Sequence, residues 1–332
     1  MGVAAPLQGA VGAGDTVPPP CAASTKRIPM FSMSNFLSAV VPAAVSLPLA
    51  TSLLVAPADA QRAPSSERPA RPAVTMQYGQ RATVGNGDVR SYVVLDRKTR
   101  APIEVGVAFS ERALEGLPTD GAGHHGQPGV VHEWSLALPE PFTTPFRFID
   151  VNWNPTGHEP AGVYDAPHFD FHFYIVSKAE RDEIVPANPQ YAEQANLLPS
   201  GDVVPPFMVQ LGPPGSKPVD AAVPKMGVHW VDIRSPELQG LLGKPDQFKP
   251  FTNTFILGSW NGRFHFWEPM ITRAHMLAKK TATDAATRDE LIPLPMPEAY
   301  EKPGAYPTAY RIMWDAERRE YRIALANLET RR

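Results

Sequence analysis

The chain has 332 residues, with 31 lysines and arginines against 34 aspartates and glutamates, and its single cysteine is Cys21. This length suits one large domain or two small ones and is ample for a hydrophobic core. The net charge of −3 argues against a nucleic-acid partner, because no strongly basic field attracts phosphates. One cysteine excludes a disulfide scaffold and a cysteine-ligated zinc site.

An export signal is predicted at the N-terminus. The basic pair Lys26 and Arg27 precedes an uncharged stretch rich in alanine, valine and leucine at 31–55, and the small-x-small motif Ala58-Asp59-Ala60 follows. These are the three parts of a secretory signal peptide. We therefore expect cleavage after Ala60, a signal region covering 1–60 and a periplasmic or extracellular protein.

Two alternatives stay open in this region. A transmembrane anchor is one, but it needs about 20 unbroken apolar residues, and Pro42 and Pro48 interrupt the stretch. A later start at Met30 or Met33 would shorten the signal and omit the basic pair. Residues 61–75 are rich in arginine and proline and are expected to be a disordered linker. This leaves 76–332 as one β-rich domain without a membrane span.

The rest of the chain has the pattern of β structure, with short alternating runs separated by turn residues. Strands are predicted at 81–84, 89–95, 103–109, 134–138, 146–153, 169–175, 227–233, 252–260, 263–271, 307–314 and 320–325. Asn261-Gly262 between two of these runs is the strongest hairpin signal. The fold class predicted is β-dominated α+β, an antiparallel β-barrel or sandwich with a few short helices.

Short helices are predicted at four places. Ser177 and Glu180 form a capping box before a helix at 178–184, and further helices are expected at 111–115, at 190–197 and from Pro236 onward. Residues 199–225 contain seven prolines, which forbid central strands. This segment is therefore expected to wrap the surface.

One segment concentrates groups that can perform chemistry. From His168 to Tyr174 the sequence alternates perfectly, reading His-Phe-Asp-Phe-His-Phe-Tyr. On a strand, the three phenylalanines share one face, and His168, Asp170, His172 and Tyr174 share the other. The phenylalanines should meet the main core, so the opposite face presents two imidazoles, a carboxylate and a phenol in one line.

Strand spacing limits which of these groups can share a metal ion. Four residues along a strand span about 13 Å, which is too far for His168 and His172 to bind one ion. Neighbours on one face are about 6.6 Å apart and can converge. Asp170 can therefore act with either histidine, and a further ligand must come from another strand.

Two residues on other strands are candidates for that ligand. His229 alternates with Val231 in an apolar strand. Two-residue hairpin pairing places Glu268 opposite Phe255 and on the face of Phe264, which predicts an inward carboxylate. A buried carboxylate must be paired, protonated or bound to a cation. Histidines and a carboxylate with open positions are the ligand set of zinc, iron or manganese centres.

These residues give the leading hypothesis, a divalent-metal protein with hydrolytic or hydration chemistry. The metal ligands predicted are Asp170, His172, His229 and His168, and the catalytic groups predicted are Glu268, as a fourth ligand or general base, and Tyr174. The ion expected first is zinc, with iron or manganese as alternatives. Bound to zinc, a water molecule ionises near neutral pH, at a pKa of about 7.

The alternative is a non-enzymatic exported protein, such as an envelope-stress or binding module. In that case the His/Asp/Tyr face is a hydrogen-bonded network or a contact between subunits of a homo-oligomer. Glu268 would then pair with Arg263 or Arg273, and His229 would be a core histidine bonded to a carbonyl. His158 is a weak candidate for a supporting role. Tyr164, Trp153, Trp230 and Trp267 are aromatic residues that could line a small-molecule pocket or lie in the core.

Several motifs resemble a known family. The runs Asn154–Pro160 and Pro167–Tyr174, followed by Met226–Trp230, Glu268–Thr272 and Tyr306–Thr308, look like those of an exported bacterial family of unknown function, the Thermus TTHB-type domain. The likeness covers most of the chain after Tyr78. It implies a β-rich secreted domain that can be oligomeric, and it supplies no catalytic residues.

Overall fold

A computed structural model describes residues 73–121, 132–140 and 144–331 of the protein. The predicted signal peptide and nearly all of the predicted linker lie outside the described residues. Within the described ranges, no helix has both the length and the apolar character to cross a lipid bilayer.

Strands dominate the described residues. They are β1 (Val74–Val84), β2 (Gly87–Asp96), β3 (Pro102–Ser110), β4 (His132–Ala137), β5 (Phe148–Asn154), β6 (His168–Tyr174), β7 (Met208–Gln210), β8 (Val228–Asp232), β9 (Asn253–Trp260), β10 (Arg263–Thr272), β11 (Asp289–Pro293), β12 (Gly304–Asp315) and β13 (Glu320–Arg331). Every predicted strand has a counterpart here. The short β7 and β11 were not predicted.

The strands form two antiparallel sheets. One has the order β1-β2-β3-β13-β12-β11, and the other has the order β4-β5-β6-β10-β9-β8-β7. Together with the few helices, they confirm a β-dominated α+β fold. Neither sheet closes on itself in the described ranges, so the arrangement fits a sandwich and does not support the barrel alternative.

The helices are short. They are α1 (Lys178–Asp182), α2 (Tyr191–Asn196), α3 (Arg273–Thr281) and α4 (Ala285–Arg288). The capping box of Ser177 and Glu180 is present at the start of α1, as predicted. The helix predicted at 111–115 is a series of turns, because its backbone hydrogen bonds, from Ala113 N–H to the Ser110 carbonyl and from Glu115 N–H to the Arg112 carbonyl, span three residues instead of the four of an α-helix. The helix predicted from Pro236 is a single 3-10 turn, Pro236–Leu238.

The β6 strand separates two buried layers. Phe169, Phe171 and Phe173 lie in the core between the sheets, where Phe109 of β3 packs 5.2 Å from Phe169 between ring centroids. This confirms the predicted orientation of the phenylalanines. The polar face of β6 is also fully buried, because Val163, Leu238 and other residues of the connecting segments cover this side of the sheet.

A β-bulge changes the predicted position of Glu268. The turn at Asn261-Gly262 has positive φ at both residues, as a two-residue hairpin requires. The pairing then shifts between Phe264 and Phe266, so that Glu268 lies opposite Ile256 instead of the predicted Phe255. Because a bulge inserts one residue into a strand, it turns the following side chains to the other face. Glu268 therefore shares the polar face of β6, whereas Phe264 lies in the core between the sheets.

Candidate metal centre

Three strands bring His172, His229 and Glu268 together. The register that pairs Trp267 with Phe173 and Met270 with Asp170 places Glu268 of β10 opposite His172 of β6. On the other side of β10, His229 of β8 pairs with Gly258 of β9.

The absence of a side chain at Gly258 leaves room for the ring that packs against His229. The space that a Cβ of residue 258 would take is filled by the ring of Phe266, whose nearest atom lies 2.0 Å from that position. The same ring packs 5.6 Å from the imidazole of His229 between centroids. Any larger residue at 258 would collide with Phe266 and displace the support of His229.

The geometry of these three residues, here called the His229 cluster, suits a metal ion. One ligand atom from each residue can be chosen so that all three lie within 4.8 Å of one another, and His172 Nε2 lies 3.3 Å from Glu268 Oε1. Ligand atoms around a tetrahedral zinc ion are roughly 3.3 Å apart, since each bond is about 2.0–2.1 Å long. The separation of His172 Nε2 and Glu268 Oε1 therefore matches that of two zinc ligands, and His229 lies close enough to complete the set.

The electrostatics of the His229 cluster also favour a cation. Burial, and then the charge of Asp170, raise the pKa of Glu268 well above the usual value of a glutamate. Its Oε2 atom makes no hydrogen bond to any described residue. Burial, and then the charge of His158, lower the pKa of His229 to about 4. Metals bind the neutral imidazole, the form that His229 already favours, and the ionised carboxylate, so an ion bound at Glu268 would replace its proton.

The predicted ligands Asp170 and His168 lie in a separate group with His158, here called the His158 cluster. His168 Nε2 lies 3.1 Å from Asp170 Oδ1, and His158 Nε2 lies 3.5 Å from Asp170 Oδ2. Ligand atoms of this group, too, lie within 4.8 Å of one another. The four ligands predicted from sequence are thus divided between two neighbouring clusters on β6.

The two carboxylates have opposite surroundings. Burial alone would raise the pKa of Asp170, but the imidazoles of His168 and His158 hold it well below the usual range. Asn154 also donates a hydrogen bond of 2.7 Å from Nδ2 to Asp170 Oδ2. The surroundings of Asp170 therefore stabilise its ionised form, whereas those of Glu268 favour its protonated form.

A pocket of about 770 Å³ connects the two clusters. The remaining wall is mainly apolar, with Ile256, Met270 and Leu211 among its residues, and the polar and charged residues of the lining are His158, Glu159, Tyr164, Asp220, His229 and Glu268. The hydroxyl group of Tyr164 is buried and has no hydrogen-bond partner among the described residues. A mostly apolar cavity with a few converging polar groups is typical of a small-molecule site.

Tyr174, predicted as a catalytic group, lies outside this pocket wall. Its ring stacks on Phe148 at 4.8 Å, and its hydroxyl donates a hydrogen bond of 3.2 Å to the backbone carbonyl of Lys225. Trp153, Trp230 and Trp267 lie in the core between the sheets. Of the four aromatic residues considered from sequence, Tyr164 is the one that lines the pocket.

The alternative partners of Glu268 are engaged elsewhere. Arg273 donates through Nε to the carbonyl of Leu114, and Arg263 lines a different pocket near Ser177. The polar face of β6 is covered by the chain itself, so a structural role for it would be an internal hydrogen-bonded network.

His158, a weak candidate from its sequence, lies within 3.5 Å of Asp170. Its ring nitrogen meets Asp170 because the β5–β6 connection folds back, with an isolated β-bridge between His158 and Tyr164. The signal available was the proximity of His158 to the start of β6. The fold of the connection, which has no alternating pattern, decides where the side chain points.

Comparison with known proteins finds similarity to one family over part of the chain. The family model described as TTHB210-like, hypothetical protein TTHB210, matches residues 98–153. This confirms the resemblance to the TTHB-type domain for the segment that contains β3, β4 and most of β5. No curated protein and no solved structure matches the chain significantly. The matched segment ends before His158, so it includes no member of either cluster.

Proposed function

We propose that this chain is an exported metal-binding protein in which His172, His229 and Glu268 hold one divalent ion on the outer buried face of a β-sandwich. The observation that carries the proposal is the convergence of two histidines and a carboxylate within 4.8 Å. Zinc is the first candidate because imidazole and carboxylate are among its common ligands; iron and manganese accept the same set.

The position of the centre favours chemistry on a small molecule. His229 and Glu268 form part of the pocket wall, so a substrate in the pocket would meet the ion directly. An ion held by three protein ligands keeps a position for water and lowers the pKa of that water, which permits hydrolysis or hydration. Glu268 completes the ligand set through one carboxylate oxygen, and its other oxygen can accept the proton of the water.

Metal analysis tests the binding. The chain is expressed without a histidine tag, stripped with chelator, dialysed against zinc chloride and measured by elemental analysis. We expect the wild-type protein to hold one zinc ion more than the His229→Gln and His172→Ala variants, and His132→Gln, a histidine outside both clusters, to match the wild type. A metal content far below one equivalent that is unchanged in His172→Ala would refute the proposal.

Activity on a simple ester then tests the chemistry. The zinc-loaded protein is assayed with p-nitrophenyl acetate and for hydration of carbon dioxide. Because Glu268 is a ligand, Glu268→Gln should lose both the zinc ion and the rate. A variant that retains zinc and loses only the rate would make Glu268 a general base instead of a ligand. A rate in either assay that is the same for wild type and variant is not produced by this centre.

A further inference from the structure

The His158 cluster has the supporting contacts of a metal site in its own right. His168 Nδ1 lies 2.7 Å from the carbonyl oxygen of Ala166, and His158 Nδ1 lies 2.7 Å from the carbonyl oxygen of Glu159. A carbonyl oxygen can only accept, so each Nδ1 carries its hydrogen. Such a bond from the far ring nitrogen is the usual way in which proteins orient a metal-binding histidine.

The amide of Asn154 faces both Asp170 and His168. An amide oxygen 2.7 Å from Asp170 Oδ2 would repel it, so the amide nitrogen must occupy that position. The same nitrogen lies 3.2 Å from His168 Nε2. Because Nδ1 donates to the Ala166 carbonyl, the neutral imidazole of His168 has its lone pair on Nε2, the atom that faces Asp170.

The carboxylate of Asp170 attracts positive charge between the two imidazoles. His168 Nε2 lies 3.1 Å from Asp170 Oδ1, and His158 Nε2 approaches the other carboxylate oxygen at 3.5 Å. His168 and Asp170 are fully buried, so bulk water does not screen this attraction. A divalent ion placed between the three groups takes the place of the imidazole protons and bonds to all of them.

We propose that His158 Nε2, His168 Nε2 and a carboxylate oxygen of Asp170 bind a second divalent ion of the first transition row, in addition to the ion of the His229 cluster. This goes beyond the proposed function, which needs one ion. His158 belongs to the same pocket wall as His229 and Glu268. A substrate in the pocket would therefore be exposed to two cations.

The experiment is a count of zinc ions per chain. The untagged full-length protein and its variants are stripped, dialysed against one zinc chloride solution and measured by elemental analysis, with circular dichroism to verify folding. We expect two ions in the wild type, one in His158→Gln, one in Asp170→Asn, one in His229→Gln and none in the His158→Gln/His229→Gln double variant. His132→Gln, the control, should hold two.

The outcomes separate this inference from the proposed function. Two ions in both His158→Gln and Asp170→Asn would overturn the assignment of the second ion. A single ion in the wild type would overturn the proposal of a second ion, and this result does not depend on the folding of any variant. If that single ion is lost in His229→Gln and kept in His158→Gln, the proposed function still holds. No ion in the wild type would overturn both. Asp170→Asn can be compromised in folding, and His158→Gln then decides, since that residue lies on a loop at the pocket wall.

Discussion

Glu268 and His172 face each other across β10 and β6 with 3.3 Å between Oε1 and Nε2, and both side chains are withdrawn from solvent. No arginine or lysine among the described residues forms an ion pair with Glu268. Asp150 differs, because its carboxylate lies 3.0 Å from Arg181 Nη2. An anion buried without such a partner destabilises the fold unless it is neutralised. Burial therefore favours the protonated form of Glu268, and a bound cation would stabilise its ionised form in place of the proton.

The first prediction concerns stability and pH. Since the pKa of Glu268 is raised in the folded state, its contribution to stability is fully present below the unfolded pKa of about 4.5 and is lost as pH rises toward the folded pKa. In chelator, Glu268→Gln should therefore be more stable than wild type at pH 8, by ~1–3 kcal/mol, with a smaller difference at pH 5. Urea denaturation at both pH values measures this.

The matched control for that experiment is Glu317→Gln. The Glu317 side chain is 92% exposed, and its substitution should leave the urea midpoint unchanged at both pH values. A Glu268→Gln variant that is less stable than wild type at pH 8 would mean that the carboxylate is compensated in the folded protein.

The second prediction concerns the stabilisation that zinc itself gives. An ion that binds the folded chain and not the unfolded chain adds about 2.7 kcal/mol of stability at a free concentration 100 times its Kd. Zinc should raise the Tm of the wild type above its value in chelator, and the shift should be smaller in His229→Gln. Thermal unfolding followed by circular dichroism gives both values. Equal shifts in the wild type and this variant would place the ion elsewhere.

The third prediction concerns the support beneath His229. A Cβ at position 258 would lie 2.0 Å from the Phe266 ring, so Gly258→Ala should destabilise the protein by about 1–3 kcal/mol. It should also weaken zinc binding, because Phe266 packs against His229. Gly201→Ala is the control, since no atom lies within 4 Å of its added Cβ. Unfolding and zinc titration of both variants test this; equal behaviour would show that the ring moves freely.

The fourth prediction separates the two faces of β6. Phe171 is fully buried between the sheets, and Phe171→Ala should cost about 3–5 kcal/mol. Below its unfolding transition, the variant should hold as many zinc ions as wild type, because the polar face is unchanged. Phe207, 52% exposed, provides the control; Phe207→Ala should change stability by less than about 0.5 kcal/mol. A loss of zinc in folded Phe171→Ala would show that the apolar and polar faces of β6 are not independent.

Much of the arrangement around β6 could be predicted from sequence. Strict alternation from His168 to Tyr174 determines which side chains share a face, since a strand repeats every two residues. The same rule indicated that His168 and His172 could not share an ion, and the structure places them in different clusters. The positions of β9 and β10 followed from the Asn261-Gly262 turn.

Three features could not be predicted in this way. The bulge before Phe266 depends on packing and cannot be recognised in the hydrophobic pattern, so the strand face predicted for Glu268 was wrong. Burial of the polar face results from connecting segments that have no periodicity. The association of Asp170 with His158 depends on the path of the β5–β6 connection, which no local rule specifies.

The most direct test of the metal centre is anomalous X-ray diffraction at the zinc edge from crystals of the untagged, zinc-loaded protein. We expect an anomalous peak about 2.0–2.2 Å from one nitrogen each of His172 and His229 and from one oxygen of Glu268. A map without a peak among these three side chains, from crystals in which they are well ordered, would contradict this expectation.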